Sequence, residues 1–112
     1  MSQRLFVDGR PAGVRLRLAD RWHQRARGLL GVNRLDDPAG LWITPCNSVH
    51  MLGMGIALDV AFVDASGRIL KLVPHLRPWR FAACWRAHAT VELRAGLAGE
   101  LALRPGRLLA LG

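Results

Sequence analysis

Three groups of side chains in this chain are of kinds that do chemistry. The first is a thiol and an imidazole four residues apart, Cys46 and His50, within the segment Gly40 to Asp64, GLWITPCNSVHMLGMGIALDVAFVD. A cysteine activated by a histidine is the nucleophile of many thiol and hydrolytic enzymes. Read as an extended strand, Thr44 to Met51 puts Cys46, Ser48 and His50 on one face and Asn47, Val49 and Met51 on the other, because successive side chains alternate. At a rise of about 3.3 Å per residue, Cys46 and His50 then stand about 13 Å apart, too far for contact unless the strand bends. A catalytic pair therefore needs a bulge, or His75 or His88 brought in by folding. The competing reading is a buried structural thiol near a hydrogen-bonded histidine, since free cysteine is among the most buried residue types. Cys46, His50, Met51 and Met54 are also soft ligands of the sort copper(I) prefers. Yet the chain has no C-x-x-C and no H-x-x-x-H, and methionines in an apolar stretch usually pack, so neither a metal nor a cofactor is expected.

The second group is carboxylates in apolar surroundings. Asp59 stands between Leu58 and Val60, and a charge there must be hydrogen-bonded or paired if it is buried. It is expected either to tie down backbone N–H groups at the Gly53 to Gly55 bend or to meet an arginine. Glu92, between Val91 and Leu93, projects opposite to both. It is a candidate polar group for a pocket, although a carboxylate on a wet strand face is commonplace. Asp64 reads as a turn residue before Ser66-Gly67.

The third group is the segment Leu76 to His88, LRPWRFAACWRAH, which mixes Trp79, Phe81 and Trp85 with Arg77, Arg80 and Arg86. Stacking rings and phosphate-pairing guanidiniums together suit single-stranded nucleic acid or another anionic polymer. The plainer account is a loop whose tryptophans lie on the core while the arginines stay solvated.

The elements that must hold these residues follow from periodicity and turn chemistry. Leu5 to Val7, Asp8-Gly9 and Val14 to Leu18 read as paired strands about a tight turn, with Val14, Leu16 and Leu18 facing inward and Arg15 and Arg17 outward. A helix is expected over about residues 20–31, capped by Asp20, with Trp22, Ala26, Leu29 and Leu30 on its buried stripe and Gly31 at its end. Leu58 to Val63 is a nearly continuous apolar run, the mark of a buried strand, and Arg68 to Val73 returns beside it. Ala89 to Leu93 is another strand, Ala95 to Leu101 one helical turn, and Arg107 to Leu111 a last strand.

The order P-C-N-S-V-H, then G-M, then L-D-V-A-F-V-D with a glycine three residues on, resembles the signature of the bacterial and archaeal family called domain of unknown function 192. Arg25 to Gly31 (RARGLLG) is similar to the family's R-x-x-G-L-M-G turn, and Val91 to Gly96 (VELRAG) to its L-E-L-x-x-G segment. The match runs from about Val14 to Leu111. The resemblance implies a compact, mainly β (α+β) domain of sandwich or barrel type with one short helix near its start, and it implies no established activity. Five positions depart from the family pattern: Met51 and Leu52 replace Thr and an aromatic, Gly55 a basic residue, Ala57 a proline, and Arg107 an Asp.

Composition bounds what remains. With 112 residues, half of them apolar, the chain is one domain over residues 1–112 with enough material for a core. No segment approaches the roughly 20 apolar residues of a membrane helix, and the first residues lack a signal-peptide core, so a cytoplasmic location is expected. Exported relatives exist in the family. The net charge of +8 comes almost wholly from arginine, scattered along the chain. That pattern suits a compositional bias better than one dedicated polyanion site. Cys46 and Cys84 could form one disulfide, and open strand edges would permit a homodimer. Together these readings point to a small non-catalytic domain that binds a ligand or a protein partner. Its candidate binding residues are Cys46, Ser48, His50, Met54, Asp59, Arg77, Trp79, Arg80, Trp85 and Arg86. A Cys46/His50 enzyme and a nucleic-acid binder using the Arg77 to Arg86 loop are the alternatives.

Overall fold

The computed structural model describes residues 2–21, 24, 34–51 and 54–112. The expected helix over residues 20–31 lies outside them for all but Asp20, Arg21 and Gln24. In chain order the described elements are β1 (Ser2–Val7), β2 (Arg10–Ala19), β3 (Gly40–Ile43), β4 (Ser48–His50), β5 (Leu58–Val63), β6 (Ile69–Leu76), β7 (Phe81–Ala83), β8 (Ala89–Arg94), α1 (Leu97–Glu100) and β9 (Leu109–Leu111). The chain is therefore mainly β, as the sequence indicates.

Seven strands form one sheet in the order β6-β5-β8-β3-β2-β1-β9, and β4 pairs with β7 in a second, small sheet. Asp8 and Gly9 both take the left-handed backbone that a tight hairpin turn needs, which joins β1 to β2. All neighbours in the large sheet are antiparallel except β2 and β3. A parallel pair cannot be joined by a hairpin, which sets β2 and β3 apart from the other neighbours.

The apolar run of β5 is buried along its whole length because the sheet has a core on each side. Ala61 and Val63 join Leu5, Leu16, Ile69, Val91, Leu93, Leu97 and Leu109 in one cluster. Leu58, Val60 and Phe62 point the other way, onto Leu41, Ile43, Met51, Met54 and Leu76. Val49 of β4 and Ala82 of β7 belong to this second cluster, so the small sheet lies over it.

The large sheet rolls up until its edge strands β6 and β9 meet at one place, the bridge between Arg68 and Leu108. There Leu109 donates its N–H to the Gly67 carbonyl at 2.8 Å and Ile69 to that of Arg107 at 2.9 Å. Beyond this seam the edges separate and the barrel is not closed. Gly67 has φ +94° and its absent Cβ would collide with the Leu109 carbonyl oxygen, so the seam requires glycine at this turn. The turn itself is held by Asp64, whose carboxylate accepts from Ser66 N, Ser66 Oγ and Arg68 N. The Ser66 hydroxyl, the Arg68 N–H and the Ser66 N–H hold that carboxyl below its usual range.

One expectation fails. Thr44 to Met51 is not a single strand: β3 ends at Ile43 and β4 begins only at Ser48, in the other sheet. Proline has no N–H to donate to a ladder, so Pro45 ends the pairing of β3 and lets the chain leave the sheet. Alternation survives locally, with Val49 buried between half-buried Ser48 and exposed His50.

Candidate functional site

The chain between β3 and β4 places Cys46. Its N–H donates to the His88 carbonyl at 3.0 Å and its carbonyl accepts from Thr90 Oγ1 at 3.0 Å, which ties it to the start of β8. The thiol is half-buried and donates to the Ser48 carbonyl at 3.1 Å. That bond engages the S–H hydrogen, whereas a nucleophile needs the thiolate. A depression of about 250 Å³ opens here, lined by Pro45, Cys46, Asn47, Ala87 and His88. Folding thus brings His88 to the Cys46 site, while His50 stands on the exposed face of β4 opposite Phe81 and does not line it. Cys84, whose N–H donates to the Asn47 carbonyl, is free, as is Cys46. Met54 is buried in the second core cluster. Among the described residues, no three of His, Cys, Asp and Glu gather as a metal site would require.

The two carboxylates have opposite environments. Asp59 is 2 % exposed and accepts three backbone N–H groups, from His75 at 2.8 Å, Gly96 at 3.0 Å and Ala98 at 2.9 Å. It therefore ties β5 to the last turn of β6 and to the first turn of α1. The expectation of backbone donors holds, and among the described residues the donors are these and no arginine; Gly53 of the bend expected to supply them lies outside those residues. Glu92 is 6 % exposed, flanked by Leu41 on β3 and Val60 on β5, with no hydrogen bond to any described residue. Burial pushes its carboxyl up to about 7. The wet strand face expected for Glu92 is instead covered, because β8 is central in the sheet and both its faces pack.

The third group forms a surface. Trp79, Phe81 and Trp85 are 69 %, 62 % and 74 % exposed, and Arg77, Arg80 and Arg86 beside them are exposed as well. The tryptophans do not lie on the core, which removes the plainer account of this segment. Soluble proteins seldom leave several large rings together in water. The platform is pinned from beneath by buried Met51, whose N–H donates to the Arg80 carbonyl at 2.7 Å and whose carbonyl accepts from Trp79 N at 2.8 Å. Lys71 Nζ, on β6, donates to the Ala83 carbonyl at 2.9 Å and holds β7 from the side. Trp79 has φ +69° and His75 has φ +52°, two non-glycine residues in left-handed backbone at the platform's start. None of the three guanidiniums has an acid or carbonyl partner among the described residues.

The sequence profile of the domain of unknown function 192 family, DUF192, described as Uncharacterized ACR, matches residues 4–111. The chain belongs to this family. Two solved structures share the DUF192 chain's fold. One, a protein of unknown function from Novosphingobium aromaticivorans DSM 12444, has a TM-score of 0.83 at 24 % identity, covering 97 % of this chain and 84 % of its own. The other, described as a "putative transcription regulator" from Sinorhizobium meliloti 1021, has a TM-score of 0.87 at 21 % identity, covering 99 % and 94 %. No curated protein matches this DUF192 chain. Among the described residues, no helix is long and apolar enough to cross a membrane.

Two departures from the DUF192 pattern have local explanations. Arg107 reaches Asp8 through Nε at 2.8 Å and donates through Nη1 to the Leu101 and Ala102 carbonyls, each at 3.0 Å. It stitches the β1–β2 turn to the chain after α1. Met51 is fully buried and supports the aromatic platform. The substituted positions thus serve two separate neighbourhoods, the seam and the platform.

Proposed function

We propose that this protein is a non-catalytic binding domain that engages an anionic partner with the face carried by β4, β7 and their flanking turns. The observation that carries this reading is a run of seven residues, Trp79 to Trp85, presenting three exposed rings among exposed arginines that have no acid or carbonyl partner among the described residues. A ring left in water forgoes the stabilisation of burial, about 2 kcal/mol or more for a side chain of this size, so its exposure calls for a role outside the fold. From Lys71 to Val91 the chain has no Asp or Glu against four cations, Lys71, Arg77, Arg80 and Arg86, so this stretch brings only positive charge to the face. The test is a titration of the folded protein at low salt against three labelled polyanions, an oligonucleotide, heparin and poly-glutamate, read by anisotropy. Salt-sensitive binding to at least one, lost in the Arg77→Ala, Arg80→Ala, Arg86→Ala variant, is the expected result. No binding to any of the three would remove the reading.

A second reading, a thiol enzyme, draws support from the depression that Cys46 shares with His88. Alkylation of Cys46 in a Cys84→Ser background tests it. Rapid reaction at neutral pH, slowed by His88→Ala, would favour an activated nucleophile. A thiol that reacts only on unfolding would be a structural one, as its bond to the Ser48 carbonyl favours.

A further inference from the structure

We infer that what this face binds is single-stranded nucleic acid, with bases stacked on Trp79, Phe81 and Trp85 and phosphates paired with Arg77, Arg80 and Arg86. The inference rests on the reading of this face as a surface for an anionic partner, and goes on to say which one. The choice turns on the rings. A sulfated polysaccharide or an acidic peptide would satisfy the arginines, but neither offers flat aromatic faces to cover three exposed rings. A nucleic-acid duplex would also use the arginines, yet its bases are stacked on one another and unavailable. Single strands alone among common polyanions offer a π-face and a charge in every repeat.

β4 and β7 are three residues each, so the platform is about 10 Å long at a strand rise of about 3.3 Å. Of the three rings Phe81 lies on β7, and Trp79 and Trp85 flank that strand before and after it, so the rings are spread along its length instead of gathered at one point. Every exposed large apolar side chain among the described residues is one of these three rings. None carries a hydroxyl, so they offer stacking area with no fixed hydrogen-bond pattern from phenols, which suits a site tolerant of sequence. The platform is also ordered before any ligand arrives. Trp79 is locked in left-handed backbone by its N–H bond to the Met51 carbonyl, and Arg80 N closes a turn onto the Arg77 carbonyl at 3.2 Å. Binding to a rigid platform loses less side-chain and loop entropy than binding to a mobile one.

Beside the platform, Cys84 N bonds to the Asn47 carbonyl and Ala87 N to the Cys84 carbonyl, forming the turn that displays Trp85 and Arg86. The depression lined by Asn47 and His88 opens at the foot of that turn. Its amide and imidazole are groups that can hydrogen-bond a base edge, so a nucleotide leaving the stack at Trp85 has a polar place to go.

The test is anisotropy of a labelled 12-nucleotide DNA strand, with unlabelled RNA of the same sequence, the matching duplex, heparin and poly-glutamate as competitors. The single strands are expected to compete at least 10-fold better than the duplex or poly-glutamate. The logarithm of affinity should fall with the logarithm of salt at a slope of about −2, for three phosphates on a single strand. Trp79→Ala and Trp85→Ala should each weaken binding about 10-fold, and Trp79→Phe should restore most of it, since a ring still stacks. Circular dichroism of each variant separates lost binding from lost folding. If heparin or poly-glutamate binds as well as the oligonucleotide, and the tryptophan variants are unaffected, the anionic-partner reading survives and this inference does not. Equal binding of the duplex also overturns it. If no polyanion binds at low salt, both fall.

Discussion

Arg68 and Arg107 at the seam, and Arg77, Arg80 and Arg86 on the β4–β7 face, carry the same charge in opposite surroundings. At the seam every guanidinium is used internally. Arg68 donates to the Gly106 carbonyl at 2.6 Å, and Arg107 engages Asp8 and two carbonyls. Asp8 in turn accepts the Leu108 N–H, which with the Arg107 guanidinium lowers its carboxyl below the usual range. On the β4–β7 face, the arginines meet no acceptor among the described residues and stand among exposed rings. The seam is where a rolled sheet must be fastened; the face is a place the fold leaves unfinished. The contrast teaches that the scattered arginines of the sequence serve two purposes which net charge alone merges.

The largest effect should come from the fastening side. Asp59 satisfies three backbone donors that belong to two other chain segments, His75 near the end of β6 and Gly96 and Ala98 at the start of α1. Asp59→Ala strands them in surroundings where each orphaned group costs about 1–3 kcal/mol, so a total loss of about 4 kcal/mol is expected. A urea unfolding midpoint measures it. A loss under about 1 kcal/mol would mean that water replaces the carboxylate and that α1 is not fastened through Asp59.

Next in size is Glu92, buried like Asp59 but with none of its donors. Its folded value of about 7 stands above the ordinary 4.5. The folded state therefore holds this proton more tightly than the unfolded chain does. Its contribution is complete below about pH 4.5, declines as pH rises, and is gone above about 7. Over that window the loss is about 3 kcal/mol. Glu92→Gln should remove the decline, making the variant more stable than the wild type at pH 8 and nearly equal at pH 4. Other groups titrate in the acid range, since Asp8, Asp64 and Glu100 are held below their usual values and withdraw stability as pH falls through it. The difference between wild type and variant across pH is thus the quantity to follow, and parallel curves would show that Glu92 is hydrated.

A smaller effect is expected at the seam's surface. Arg107→Ala loses the tie from Asp8 to the chain after α1 and should lower the melting temperature by less than Asp59→Ala does. Arg107→Asp, which introduces the residue usual in the family, sets a second carboxylate against Asp8 and should lower it further. The gap between the two variants should narrow as salt is added, because exposed charges are screened. A salt-independent gap would locate the loss in packing instead.

How much of this was legible in the sequence depends on how local the cause is. The β1–β2 hairpin was readable because Asp8-Gly9 specifies its own turn, and the Asp64 turn because its acceptor lies two and four residues from its donors. The run Leu58 to Val63 announced burial, and DUF192 membership set the mainly β class. Asp59's partners were not readable, since Gly96 and Ala98 lie 37 and 39 residues away. Glu92 was misjudged for a related reason: only the strand order puts β8 between β3 and β5, and an isolated V-E-L pattern looks half wet. The strand expected over Thr44 to Met51 followed an alternation that continues past Pro45, although the ladder cannot. As for Trp79 and Trp85, a ring's type carries no information about which side of a short strand or turn will face the core.

The smallest expected change in stability divides the two regions most sharply. Exposed side chains away from special features change stability by about 0.5 kcal/mol or less, so Trp85→Ala should leave the unfolding midpoint where it is. Trp79 adds a sign. Its φ of +69° is a conformation glycine adopts freely and a bulky residue does not, so the fold bears a strain there of about 1 kcal/mol to display the ring. Trp79→Gly removes strain and ring together, and it should raise stability by up to about 1 kcal/mol while weakening oligonucleotide binding about 10-fold, as Trp79→Ala does. Glycine's greater freedom in the unfolded chain offsets part of the gain, which makes Trp79→Asn, also tolerant of left-handed backbone, a useful second variant. A residue that is better for the fold once removed, yet needed for the ligand, is kept for the ligand. Should both variants lose stability instead, the ring packs against the platform, and the case for Trp79 as a stacking surface falls with it.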